Sequence, residues 1–199
     1  IFLEKMISFK NLFENNIKLA DWKEHCEELK RLNPIDKVFK KSNPIDLYYF
    51  MSRIDLLAPE NAVFVTDAGS NYYVGGQVYK YNKPNQREIT AGTSAAMGLS
   101  IPLAIGAAYA KPDSVILAVT GDGSLELNVQ ELKTISYYNL NIKLFVINNG
   151  GYASMKEWQD TYFEGTRVGT GTGDTHTEML DLKKVATAFD MPYVKIDNY

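Results

Sequence analysis

The 199-residue chain is 45% hydrophobic, enough to bury a full core and to make one domain with some length to spare. A formal net charge of −3 offers no basic face to duplex nucleic acid or to an anionic membrane, and no apolar run approaches the roughly 18 to 20 residues that span a bilayer. A single cysteine, Cys26, excludes an intramolecular disulfide; with no CxxC or His/Cys cluster for zinc, a reducing cytoplasm is the expected compartment.

The opening stretch "IFLEKMISFKNLFENN" lacks the basic flank and small-residue cleavage site of a secretory signal. In "LADWKEHCEELKRLNP" the residues Leu19, Trp22, Cys26 and Leu29 recur at helical spacing until Pro34 ends the pattern. Residues 1–40 read as the end of a preceding domain plus a linker, with His25 and Cys26 in structural roles. The sequence opens at Ile1 and closes on "YVKIDNY", and so reads as a piece of a longer chain. Ser42 and Asn43 ahead of Pro44 mark a second helix start, for "IDLYYFMSRIDLLAP", and residues 41–199 read as one domain.

Beyond that point strands and helices alternate. "AVFVTD" (62–67), "SVILAVTGDG" (114–123), "IKLFVINN" (142–149) and "YVKI" (193–196) read as strands too apolar to have one face in water. "AAMGLSIPLAIGAAYAK", "LNVQELKTISYY", "YASMKEWQDTYF" and "LDLKKVATAFD" read as the helices between and after them. This is the α/β pattern of a parallel sheet flanked by helices on both faces. Ligands of such sheets sit outside the carboxyl ends of the strands, which here means the loops after Thr66, Val119 and Ile147. Tyr72, Tyr73 and Gln77, just past the first loop, are candidates for a substrate channel or for packing. "EGTRVGTGTGDTHTE" (164–178) is polar and without periodicity, and reads as a mobile loop that could close over substrate; its His176 is a candidate acid/base or a solvated loop histidine.

The loop chemistry is the most informative feature. Gly121 and Gly123 let the backbone around Asp122 turn tightly and approach a ligand, and Ser124 adds a hydroxyl where a helix begins. A helix start favours phosphate, and a carboxylate there repels it unless a cation lies between. Mg²⁺ fits, because it takes carboxylate, amide and carbonyl oxygens together with phosphate. The next strand ends in "INNGGY", which supplies the Asn149 amide oxygen and the Gly151 carbonyl 27 and 29 residues after Asp122. Taken singly, GDG is also a plain turn and NNGG a plain helix stop; one helix and one strand apart, they point to a shared ion.

The pairing of GDGS with the second Asn of NN resembles the diphosphate-binding motif of thiamine diphosphate enzymes. "TDAGSNYY", "AGTSAAMGLSIPLAIGAAYAKPDSVILAVTGDGSLELNVQELKTI" and "INNGGY" are similar, in order, to the cofactor-binding domain of the acetolactate synthase and pyruvate decarboxylase group, over residues 44–196. The resemblance implies thiamine diphosphate and Mg²⁺ as cofactors, with Asp122, Asn149 and Gly151 on the metal and Ser70 and Ser124 on the diphosphate. It also implies Met97 as the apolar residue that keeps the cofactor bent, though packing on a helix would equally suit a methionine. The Ala95 carbonyl would hold the aminopyrimidine.

The implied activity is decarboxylation of a 2-oxo acid with carboligation to a second carbonyl compound. A simple decarboxylase and a non-catalytic cofactor-binding domain are the alternatives. Met155 stands where decarboxylase relatives carry a glutamate, and Trp158 where synthases have a substrate-pocket tryptophan, although it also suits a plain helix face; Ser154 replaces the methionine usual in those synthases. The glutamate that protonates the cofactor's pyrimidine has no counterpart here. The resemblance therefore implies a pyrimidine-binding domain of the same parent chain, contributed by a second subunit of a homodimer or homotetramer, and leaves open whether that parent binds FAD. A dinucleotide-binding oxidoreductase would need GxGxxG after the first strand, which "DAGSNYYVGG" does not supply.

Overall fold

In the computed structural model, residues 4–5, 17–173 and 177–198 are described. The chain divides into two compact units, Ile1–Phe39 and Lys40–Tyr199. The first contains helix α1 (Ile17–Leu32) and a short 3-10 turn, Ile35–Val38. In α1 the rings of Trp22 and His25 lie 5.8 Å apart, and Cys26 is half-buried.

The second unit opens with α2 (Leu47–Leu57), whose start is set by Asp46. Its carboxylate accepts from Tyr49 N at 2.8 Å, an N-cap that corrects the expectation placed on Ser42 and Asn43. The chain then runs β1 (Val63–Thr66), α3 (Ser70–Val78), β2 (Arg87–Thr90), α4 (Ser100–Ala110), β3 (Ile116–Gly121), α5 (Asp122–Glu126), α6 (Leu132–Tyr137), β4 (Ile142–Ile147), α7 (Ala153–Tyr162) and α8 (Leu182–Ala188). The four strands form one sheet of order β2-β1-β3-β4 with every pairing parallel.

Both faces of the sheet are covered, as the apolar strands require. Val63, Val65, Ile116 and Ala118 point to one face and pack with Ile101, Ala104, Leu132 and Ile135 from α4 and α6. On the other, Phe64 stacks on Tyr79 at 4.5 Å, and the Tyr79 hydroxyl reaches Met51 of α2. From β1 the chain steps outward to β2 through α3, then returns across β1 to β3 through α4. Right-handed crossovers in opposite directions put their helices on opposite faces and leave a crevice between the carboxyl ends of β1 and β3. The loops with the chemistry meet at that crevice.

Helix α3, strand β2 and the segment "YVKI" differ from expectation. "REIT" forms strand β2, which pairs from Arg87 opposite Val63 to Thr90 opposite Thr66; it is short, partly charged and at an edge, so it carries no apolar signature. "YVKI" (193–196), expected as a strand, has no strand assignment and pairs with no described strand. Val194 is 81% exposed and the segment follows Pro192, which has no N–H to give a ladder. It lines a groove with Phe145, Ile147, Leu182 and Val185 instead of extending the sheet.

Candidate functional site

The site is assembled from four loops at one edge of the sheet. β3 and β4 run in register to Gly121 opposite Ile147, so the GDGS and NNGGY loops leave neighbouring strand ends side by side. Asp122 is 3% exposed and joins them. Its Oδ1 accepts from Gly123 N at 2.8 Å, and its Oδ2 accepts from Gly150 N at 2.8 Å and Gly151 N at 2.9 Å. Three backbone N–H groups, drawn from both loops, thus share this one buried carboxylate.

Asn149 lies at the exposed tip of the loop that Asp122 holds, next to Gly150 and Gly151. The Gly151 carbonyl accepts from Ala153 N at 3.1 Å, which leaves one lone pair of that oxygen. Ser124 is buried within α5, whose first residue is Asp122 itself, two residues earlier than Ser124. Gly123 lies against the ring of Tyr152, and a Cβ there would overlap the ring atoms; at Gly121 a Cβ would meet nothing within 4 Å. The space beside Asp122 is therefore closed on one side by Tyr152 and open above Gly121.

The other two loops hang on Asp67, at the end of β1 and fully buried. Its carboxylate accepts from Ala68 N and Gly98 N, both at 2.8 Å, and from Ser100 N and Thr120 Oγ1, both at 3.1 Å. One side chain thus ties the first loop, the turn that precedes α4 and the end of β3. Asn128 holds the same turn from the far side, Nδ2 donating to the Gly98 carbonyl at 2.8 Å. Gly98 has φ +82°, and a Cβ there would come within 2.7 Å of Leu127 Cβ.

Met97 and Ala95 lie on this clamped turn. Neither is packed on a helix: Met97 is 37% exposed ahead of α4, and Ala95 is in the left-handed region at φ 42° and ψ 37°. A non-glycine residue held at such a φ is strained and marks a turn that its surroundings dictate. Ser70 is the first residue of α3, after Gly69, and a Cβ on Gly69 would lie 3.7 Å from Ser154 Oγ, which brings the first loop to the start of α7. Trp158 is 57% exposed on α7, its ring 4.7 Å from that of Tyr162, in a groove with Met155, Phe163 and Val168.

The Gly/Thr-rich segment, expected to be mobile, is hydrogen-bonded to its surroundings as far as Thr172. Gly171 pairs with Gly151 in an antiparallel bridge; Tyr152 N donates to Thr170 O at 2.9 Å and Thr172 N to Gly150 O at 3.1 Å. Gln159 brackets Val168 from both sides of its backbone, each bond 3.2 Å. His176 lies outside the described residues. Of the channel candidates, Gln77 accepts from Tyr48 Oη at 2.9 Å, and the Tyr72 and Tyr73 rings pack on each other at 5.6 Å.

A family profile described as "Thiamine pyrophosphate enzyme, C-terminal TPP binding domain" matches residues 67–199. The chain belongs to this family. It is 34% identical to acetolactate synthase 1, chloroplastic, of Nicotiana tabacum over 189 residues, 92% of this chain and 28% of that protein. It is 30% identical to acetolactate synthase isozyme 1 large subunit of Escherichia coli (strain K12) over 180 residues, 90% of this chain and 31% of that protein. The chain thus spans between a quarter and a third of the length of these relatives, and is a thiamine diphosphate enzyme domain related to acetolactate synthase.

Asp67, Tyr152, Lys156 and Asn128 were given no role on sequence alone. Only Asp67 carried a signal, as the one charged residue closing the otherwise apolar run "AVFVTD". The glycines offer a direct check of the loop geometry. Gly151 has φ +123°, and a Cβ would overlap Thr170 O; Gly76, inside α3, has open space around it. Gly151→Ala is expected to lower stability by about 1–3 kcal/mol through strain and loss of the bridge, and Gly76→Ala to be neutral or to raise it by up to about 1 kcal/mol. Urea denaturation of both variants measures the contrast; equal effects would mean that the Gly151–Gly171 contact is not formed in solution.

Proposed function

We propose that the protein is the cofactor-binding part of a thiamine diphosphate- and Mg²⁺-dependent enzyme that decarboxylates a 2-oxo acid and joins the remaining fragment to a second carbonyl compound. The observation that carries this reading is the Asp122 carboxylate, buried between two loops and bonded only to neutral N–H groups, with the Asn149 amide and the Gly151 carbonyl at hand. An all-oxygen donor set with one carboxylate suits a hard divalent cation that also bonds phosphate.

When bound, thiamine diphosphate supplies a carbon nucleophile and an acceptor for the electron pair that CO₂ leaves behind. The chain's own residues hold and orient it. Asp122, Asn149 and Gly151 would hold Mg²⁺; Ser70 and Ser124 would hold the diphosphate at the close approach that Gly121 and Gly123 permit; Ala95 O would receive the aminopyrimidine, and Met97 would support the bend. Trp158, in its apolar groove, would face the substrate, and Met155 on the same helix has no proton to give, which favours carboligation over release of a free aldehyde.

A complete site would need a pyrimidine-binding domain, proposed to come from a second subunit of a homodimer or homotetramer. The cytoplasm is the proposed compartment, consistent with one cysteine; among the described residues no helix is long and apolar enough to cross a membrane. The decisive experiment follows CO₂ release and carbon products from a panel of 2-oxo acids, with the full-length protein, thiamine diphosphate and Mg²⁺. A 2-hydroxy-3-oxo product supports carboligation, and a free aldehyde supports the simple decarboxylase. Bound cofactor with no turnover on any acid would overturn the activity and leave the binding reading.

A further inference from the structure

The peptide joining Gly150 to Gly151 lies between two opposite charges. Its carbonyl oxygen accepts from Lys156 Nζ at 2.7 Å, and its N–H donates to Asp122 Oδ2 at 2.9 Å. The ammonium faces the negative end of the peptide dipole and the carboxylate faces the positive end, so both bonds are charge-assisted and each polarises the group for the other. Thr172 N adds a second donor to the same oxygen at 3.1 Å.

Local sterics do not choose this orientation. Gly150 and Gly151 have φ +76° and +123°, and a pair of glycines admits the reversed peptide plane at little cost. Reversal would aim the carbonyl oxygen at the Asp122 carboxylate and the N–H at the Lys156 ammonium. The two charges, with Thr172 N beside Lys156, therefore select one orientation. The peptide so held lies between the two candidate ligands, Asn149 before it and the Gly151 carbonyl after it, and anchors the stretch that carries both.

We propose that Lys156 is a positioning residue for the cation site, locking the Gly150–Gly151 peptide so that Gly151 O and Asn149 are presented to Mg²⁺ before the ion arrives. This rests on the reading of Asp122, Asn149 and Gly151 as the cation ligands. Lys156 acts through Gly150 and touches no proposed ligand directly; its ammonium is committed to the loop's own carbonyl. Preorganisation of this kind appears as cation affinity, and groups that orient metal ligands typically carry about 10- to 100-fold of it.

The test uses Lys156→Met, which keeps the stem and removes the charge, beside Lys156→Arg, which keeps the charge. Amide hydrogen exchange at Gly151 reads the lock with no cofactor present, and calorimetry reads the Mg²⁺ concentration that half-saturates thiamine diphosphate binding. In Lys156→Met, exchange at Gly151 is expected to accelerate about tenfold or more and the Mg²⁺ requirement to rise about tenfold, with most of both restored in Lys156→Arg. Thermal unfolding of each variant separates this from a general loss of fold. Unchanged exchange would overturn the lock, and faster exchange with an unchanged Mg²⁺ requirement would overturn its link to the cation. Cofactor binding that ignores Mg²⁺ in the unsubstituted protein would overturn the cation-site reading itself, while the exchange measurement would still report on the peptide.

Discussion

Asp122→Ala is expected to abolish Mg²⁺-dependent binding of thiamine diphosphate, with an affinity loss of about 100-fold or more, because it removes the only proposed ligand that carries a negative charge. The same substitution withdraws the acceptor from the N–H groups of Gly123, Gly150 and Gly151. Two of these belong to the opposite loop, so the junction between GDGS and NNGGY loosens. Water can reach the half-buried Gly150, which moderates the cost to about 2–3 kcal/mol of stability. Asp122→Asn separates the two effects. It keeps one acceptor oxygen for the loop and loses the charge, so cofactor binding should fall nearly as far while the melting temperature recovers. Calorimetric titration with thiamine diphosphate at fixed Mg²⁺, beside thermal unfolding, measures both. An Asp122→Ala protein that binds the cofactor within threefold of the unsubstituted protein would refute the site.

The largest effect on stability is expected at Asp67. Its carboxylate serves four donors with no water-accessible surface, and Asp67→Ala strands Ala68 N, Gly98 N and Ser100 N and leaves Thr120 Oγ1 only the Gly121 carbonyl at 3.4 Å. Unsatisfied buried donors cost about 1–3 kcal/mol each when water cannot enter, and partial relaxation brings the sum to about 3–5 kcal/mol. Domains of this size hold only about 5–15 kcal/mol in total, so a fall in melting temperature of about 10 °C or more is expected. The loss should exceed that of Asn128→Ala, which removes a single bond to the same turn. Differential scanning calorimetry on the two variants decides the order, and an Asp67→Ala protein melting within 3 °C of the parent would show that the network does not hold the turn. Since that turn carries Ala95 and Met97, cofactor affinity should fall in both variants, more in Asp67→Ala.

The architecture was largely legible where its signals are local. Apolar β-branched runs announced β1, β3 and β4, and helical periodicity announced α2, α4 and α7, because burial on a known period leaves its mark within ten residues. Helix α3 was missed for the converse reason. "SNYYVGGQV" contains two glycines and β-branched valines, a poor helix former that holds its shape by packing Val74, Gly75 and Val78 into the interior. Strand β2 was missed because an edge strand need not be apolar, and "YVKI" was over-read because composition says nothing about whether a partner strand is in reach.

The residues alone set out a candidate site: a carboxylate between glycines at one strand end, an amide and free carbonyls at the next, and an apolar residue, Met97, in a stretch that reads as helix. Those choices follow from turn chemistry and ligand chemistry, which act between neighbours in the chain. What holds the pieces in place rests mainly on contacts between residues far apart in the chain. Asp67 reaches Gly98 and Thr120, Asn128 reaches Gly98, and the segment Thr170–Thr172 lies on the Gly150–Gly151 loop, which Lys156 grips from the following helix. All but the Asp67–Thr120 contact are bonds to a backbone atom, and a backbone atom carries no residue identity. Sequence can announce candidate ligands, therefore, but the supports that would aim them become visible only when the chain is folded.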